Sequence, residues 1–147
     1  DALQRALMGE ILHRFERKGL KLVGIKMLSM GGNLVEEWYK HIKDREFFPR
    51  IRDFMTSTPV VAMAWEGVEA INAVGKIVGI TKSRAAEAGS IRGDFGMSIQ
   101  NNLIHASDSV ESAAREIGLL FKSEELFVYE SGVECLIYSV DERKIIS

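Results

Sequence analysis

The chain has 147 residues, 46% of them hydrophobic and 27% charged, with a formal net charge of -2. That length suits one domain with a real core, and the near-neutral balance excludes a global field that would recruit nucleic acid. Cys135 is the only cysteine, which excludes an internal disulfide; no apolar run approaches the ~20 residues of a membrane helix and no secretory signal opens the chain, so a cytoplasmic setting is expected.

Asp1–Lys18 is expected to be a helix after a short lead-in. Leu7, Ile11 and Phe15 recur at every fourth position, with Met8 and Leu12 beside them, giving one apolar face. Arg14, Arg17 and Lys18 suit the C-terminal end of a helix dipole, and Gly19 is the expected stop. Leu20–Met30, rich in Leu, Val, Ile and Met, reads as a strand buried on both faces and ended by Gly31-Gly32. Asn33 is expected to start a short helix carrying Trp38 and Tyr39, with Glu36 at capping-box spacing. Phe47–Met55 follows as a helix, with Pro49 tolerated in its first turn and Ile51, Phe54 and Met55 inward. By pattern alone Phe47 also belongs to the core. Val60–Trp65 is an apolar run of strand length, and Val68–Val78 returns to helical spacing. Gly79–Ser90 is a polar loop with Thr81, Lys82, Ser83 and Arg84, of the kind that carries ligands on a rigid scaffold.

Ile91–Glu116 gathers Arg92, Asp94, Asn101, Asn102, His105, Ser107, Asp108 and Glu116. Leu103 and Ile104 read as a short strand leading into His105. Asp108 reads as the N-cap of the next helix, with Glu111 at capping-box spacing. That helix is expected over Ser109–Ile117, stopped by Gly118. Glu124–Phe127 is expected to add a turn, Glu134–Tyr138 an extended segment, and residues 139–147 a tail on a single domain spanning 1–147. A histidine between a strand end and a helix start is held by backbone on both sides. Its neutral form dominates above the unperturbed pKa of ~6.5 and suits a nucleophile. His13 and His41 lie among charged neighbours in expected helices and read as solvent-exposed. Strands alternating with helices predict an α+β fold, one strand short of βαββαβ.

Ile91-Arg92-Gly93-Asp94-Phe95 and Asn102-Leu103-Ile104-His105-Ala106-Ser107-Asp108-Ser109 closely resemble the signature of the nucleoside diphosphate kinase family. Lys18–Gly24, Pro59–Gly67 and Glu116–Leu119 are similar to the same family, and the likeness runs from Asp1 to about Tyr138. The resemblance implies a ferredoxin-like antiparallel sheet covered by helices, its first strand upstream of Asp1. It implies that His105 attacks the γ-phosphate of a nucleoside triphosphate, becomes a phosphohistidine, and returns the phosphate to a second nucleoside diphosphate. Glu116 would then hydrogen-bond the imidazole and fix its tautomer, and Ser107 would support the same site. Arg92 and Thr81 would contact phosphate, and Asn102 the ribose or a phosphate-side hydroxyl. Phe47 would stack on the base, which tolerates every base because each has a π-face. Tyr39 and Arg5 match supporting positions near the site. Mg²⁺ is expected with the bound nucleotide, without a dedicated set of protein metal ligands; Asp108 is the nearest carboxylate. The implied partners are nucleoside tri- and diphosphates and further copies of the chain, as a hexamer or tetramer, with no membrane and no specific nucleic acid.

Three departures stand beside this likeness. The family's Lys-Pro-Asp-Gly motif is present only from Asp1 onward, with Ala2 in place of its Gly, so the motif's Lys would lie upstream. Aligning on Gly79 and Thr81 puts Gly75 where the family has an Arg; Lys76 next door leaves a helix about 100° away. Lys82-Ser83 replace the family's Asn-Pro or Asp-Pro. The first two motivate an alternative, a nucleotide-binding interaction or regulatory protein of the same fold with weak or no kinase activity. A ferredoxin-like RNA binder is a third possibility, but the chain lacks its aromatic strand motif and a basic face.

Overall fold

The structure is a computed structural model and describes residues 1–146. Its sheet joins two antiparallel strands, β1 (Lys21–Leu28) and β2 (Val60–Glu66). Pairing runs from Lys21↔Glu66 to Leu28↔Val60, with an irregularity between Leu22 and Gly24. Alternation sends successive β2 side chains to opposite faces. Met63 and Trp65 pack into a core around Ile11, Phe15, Leu20, Val78, Ile91 and Leu103. Ala62 and Ala64 pack against Phe121, with Val23, Ile117 and Leu120 around them. Helices α1 (Met8–Lys18) and α4 (Ala70–Val78) therefore cover one face, and α6 (Val110–Leu120) lies on the other.

The apolar face read in α1 is the buried one, with Ile11 and Phe15 each 1% exposed. Residues ahead of Met8 form turns, so this helix starts later than expected. It stops at Gly19, where φ is +96°, a left-handed backbone that glycine adopts without a Cβ penalty. A third cluster, Met30, Val35, Trp38 and Phe48, joins α2 (Gly32–Trp38) to α3 (Phe48–Thr56).

Several expectations are corrected. β1 is not buried on both faces: Ile25 and Met27 are exposed, because the helices on their side pack over β2. Gly31, not Asn33, caps α2. Leu103-Ile104 is not a strand, since Leu103 has φ +77°, a backbone angle outside the β region. The segment ahead of it holds a short helix, α5 (Ile91–Phe95). Ser109 rather than Asp108 caps α6, its hydroxyl accepting the Ser112 N–H at 3.0 Å, and α6 runs through Gly118 to Leu120. Glu134–Tyr138 is not extended: Glu134–Ile137 is helix α7, closed by the Tyr138 N–H donating to the Glu134 carbonyl at 2.9 Å. The expected tail contains α8 (Val140–Arg143), and its last residue, Ser147, lies outside the described residues.

Candidate active site

The site begins with a turn that the chain does not adopt freely. The Ile104 N–H donates to the Asn102 carbonyl at 3.0 Å, closing a three-residue turn around Leu103. A left-handed leucine costs on the order of 1–3 kcal/mol and persists only where its surroundings fix it. Here Leu103 is buried, and its N–H donates to Asp1 Oδ1 at 2.9 Å. Arg92 donates to the carbonyls on either side, from Nε to Asn102 at 3.2 Å and from Nη2 to Ile104 at 2.5 Å. Ile104 packs on the main core, and the next side chain, His105, turns out toward solvent, 43% exposed.

Two donors converge on one carboxylate oxygen, Glu116 Oε2. His105 Nε2 lies 2.9 Å from Glu116 Oε2, and the Ser107 hydroxyl donates to the same oxygen at 2.5 Å. Glu116 is buried on α6, so its carboxylate needs both bonds. A carboxylate accepts, so Nε2 is the donor in this bond, and in the neutral ring that places the lone pair on Nδ1. The Trp38 ring meets the imidazole at 5.3 Å between centroids and 75° between planes. Arg115 Nη2 is 3.8 Å from Glu116 Oε1, and Arg115 also donates to the carbonyls of Glu37 and Trp38 at the end of α2. Burial, and secondarily the charge of Glu116, push the Tyr39 phenol above its ordinary range.

The loop from Gly79 to Phe95 is tied down at both ends. Gly79 has φ +87°, and a Cβ there would meet the Ser90 side chain at 2.5 Å, so only glycine lets α4 exit this way. The Gly79 carbonyl accepts from Arg92 Nη1 at 2.9 Å. Burial holds the Arg92 guanidinium below its ordinary value. At the other end Arg14 pairs with Asp94 at 2.6 Å, donates to the Gly89 carbonyl at 2.8 Å and lies over the Phe95 ring. Arg5 donates to the Phe95 carbonyl at 2.7 Å.

His105, Ser107 and Glu116 thus meet as one bonded group, and Arg92 and Asn102 are joined beside it. Asn102 is half-buried, with Nδ2 donating to the Ile99 carbonyl. Thr81 stands exposed on the loop. Of the Phe47-Phe48 pair, Phe48 enters the core and Phe47 is 48% exposed, which corrects the pattern-based assignment of Phe47 to the interior. Gly75 and Lys76 are both exposed on α4. His13 and His41 are exposed, as expected. Neither Trp38 against the imidazole, nor Asp1 on the Leu103 N–H, nor Arg115 beside Glu116 was expected from the sequence. Their contacts join distant segments, and no local spacing signals them.

Comparison with known proteins follows the same lines. The family model described as Nucleoside diphosphate kinase matches residues 1–126. A nucleoside diphosphate kinase of Parabacteroides distasonis is 46% identical over 140 residues, covering 95% of this chain and 92% of that protein. One of Cyanothece sp. is 48% identical over 138 residues, covering 94% and 93%. Among solved structures, a nucleoside diphosphate kinase family protein from Babesia bovis superposes with a TM-score of 0.91 at 46% identity, covering 94% of this chain and 93% of that one. A halophilic nucleoside diphosphate kinase from Halobacterium salinarum, in complex with CDP, gives 0.92 at 40% identity, with 95% and 93% covered.

Proposed function

The chain belongs to the nucleoside diphosphate kinase family, and from that premise we propose which residues move the phosphate and how. The fold is the family's ferredoxin-like α+β fold, and the activity is transfer of a γ-phosphate from a nucleoside triphosphate to a nucleoside diphosphate. In our reading the transfer passes through His105. The Nδ1 lone pair attacks the γ-phosphorus, the bond from phosphorus to the bridging oxygen breaks, and the diphosphate leaves with that electron pair. Nε2 keeps its proton and donates it in the hydrogen bond to Glu116, whose negative charge compensates the positive phosphorylated ring. A second diphosphate then attacks the same phosphorus through a terminal oxygen, and the P–N bond breaks back to a neutral imidazole.

One observation carries this reading. The Nε2–Glu116 bond of 2.9 Å fixes one ring nitrogen as donor and leaves the other nucleophilic on a ring 43% exposed. Around it, Arg92 commits three N–H groups to carbonyls and has two left for phosphate oxygens. The Thr81 hydroxyl and the Asn102 amide complete the polar contacts to phosphate and sugar. Exposed Phe47 offers a face for the base.

Mg²⁺ travels with the nucleotide in this reading. Among the described residues no three His, Cys, Asp or Glu side chains converge as a metal cage. The donor set therefore fits an ion held by phosphates and water, with exposed Asp108 as the chain's nearest carboxylate. When bound, the ion would neutralise phosphate charge; the residues named above orient the phosphate. Assembly as a hexamer or tetramer and a cytoplasmic setting belong to the same proposal. The first rests on family membership, and the second on a cysteine that stands free and exposed.

The test is direct labelling. Incubation with γ-labelled ATP is expected to place acid-labile phosphate on His105, and a different nucleoside diphosphate should then remove it. His105→Ala should abolish labelling while leaving the circular dichroism spectrum unchanged. Persistent labelling of that variant would exclude His105 as the nucleophile. Gly75 favours a slow enzyme over a fast one, since losing a cation at a phosphoryl-transfer site costs about 10²–10³ in rate.

A further inference from the structure

A ring held by one hydrogen bond can still pivot. The Nε2–Glu116 bond fixes one point of the His105 imidazole, but the plane can swing about that contact and carry Nδ1 off the line of attack. Something else must hold the plane. Trp38 meets the imidazole edge to face at 5.3 Å, within the range where aromatic pairs attract.

Trp38 is itself fixed. It is 7% exposed and packs with Met30, Val35 and Phe48. Its carbonyl accepts from Arg115, whose guanidinium reaches Glu116 at 3.8 Å. The last turn of α2 therefore touches both members of the bonded pair, His105 through the indole and Glu116 through Arg115. Core filling explains the burial of Trp38 but does not require its ring to stand perpendicular to the nucleophile.

We infer that Trp38 is a positioning residue for phosphoryl transfer, setting the plane of the His105 ring so that Nδ1 faces the incoming phosphorus. This rests on His105 being the nucleophile. The indole touches neither nucleotide nor phosphate in this account, so its effect falls on the chemical step and not on nucleotide affinity.

The experiment compares wild type, Trp38→Phe and Trp38→Leu in two measurements. In single-turnover labelling with ATP, Trp38→Leu is expected to slow phosphohistidine formation about tenfold at saturation, with half-saturating ATP changed less than about twofold. Trp38→Phe, which keeps an aromatic edge or face, should recover most of the rate. In proton NMR of the unliganded proteins, the His105 ring protons should carry a ring-current shift in wild type that Trp38→Leu loses and Trp38→Phe partly keeps. An unchanged labelling rate in a folded Trp38→Leu protein would overturn the inference. So would rate, half-saturation and Tm falling together with no rescue by phenylalanine, the pattern of a merely structural residue. Should Trp38→Leu not fold, wild-type ring protons without a ring-current shift would still overturn it. Failure of wild type to label His105 would strike the underlying assignment instead, and the NMR arm separates that result from a missing indole contact.

Discussion

The carboxylate of Asp1 accepts the backbone N–H of Leu103 at 2.9 Å, tying residues 102 positions apart at the turn that precedes His105. Leu103 is a buried, non-glycine residue at φ +77°. A hydrogen bond to a charged acceptor contributes about 1.5–3 kcal/mol, the same order as the strain it offsets. Together with the two Arg92 bonds to the flanking carbonyls, this bond holds the turn from which His105 is presented.

Asp1→Ala is accordingly expected to lower turnover about tenfold if His105 is the proposed nucleophile, because its misplacement by a fraction of an ångström is felt in the transfer step. Asp1→Asn keeps a carbonyl acceptor and should fall between the two. Steady-state rates measured beside Tm decide the point. A Tm loss in Asp1→Ala with wild-type turnover would mean that the turn holds without this carboxylate.

Gly75 is the departure most open to repair. A Cβ built there meets nothing within 4 Å, and the position is exposed within α4. Replacing a helix-interior glycine with a better helix former gains up to about 1 kcal/mol. Gly75→Ala should show that gain in Tm and leave turnover alone. Gly75→Arg should restore a cation at the position where the family has one and raise turnover about tenfold or more. Equal turnover in both variants would remove the missing cation from the account of rate.

Much of this site is legible in the sequence alone. Leu7, Ile11 and Phe15 announce the buried face of α1, and the segment around His105 carries the family likeness by itself. Glu116 could be placed as the imidazole's partner through that likeness, and a bond of 2.9 Å joins them. What could not be read is what depends on distant chain. Leucine has no sequence mark for a left-handed backbone, so Leu103-Ile104 passed for a strand. Asp108 and Ser109 are both good caps, and only the path of the chain after His105 selects Ser109. Ile25 and Met27 are as apolar as any core residue, yet both stand exposed and outside the core that Met63 and Trp65 join. Trp38 reaches His105 across 67 positions, a contact with no periodicity to betray it.

The last expectation concerns acid. Asp94 accepts the Gly89 N–H at 2.8 Å and pairs with Arg14 at 2.6 Å. The Gly89 N–H first, and Arg14 after it, hold the carboxyl below its ordinary 3.8. A carboxyl depressed on folding contributes stability that is present above the ordinary value and is lost as pH falls through the lowered one. Both side chains remain partly open to water, 21% and 28% exposed, so the contribution is small, under about 1 kcal/mol. Asp94→Asn removes the titration and most of the pairing with Arg14. Wild type should therefore exceed this variant in urea stability at about pH 6, and the gap should close as pH falls from about 4 toward about 2. A gap of constant size across that window would mean that Asp94 stabilises the loop through packing and not through its charge.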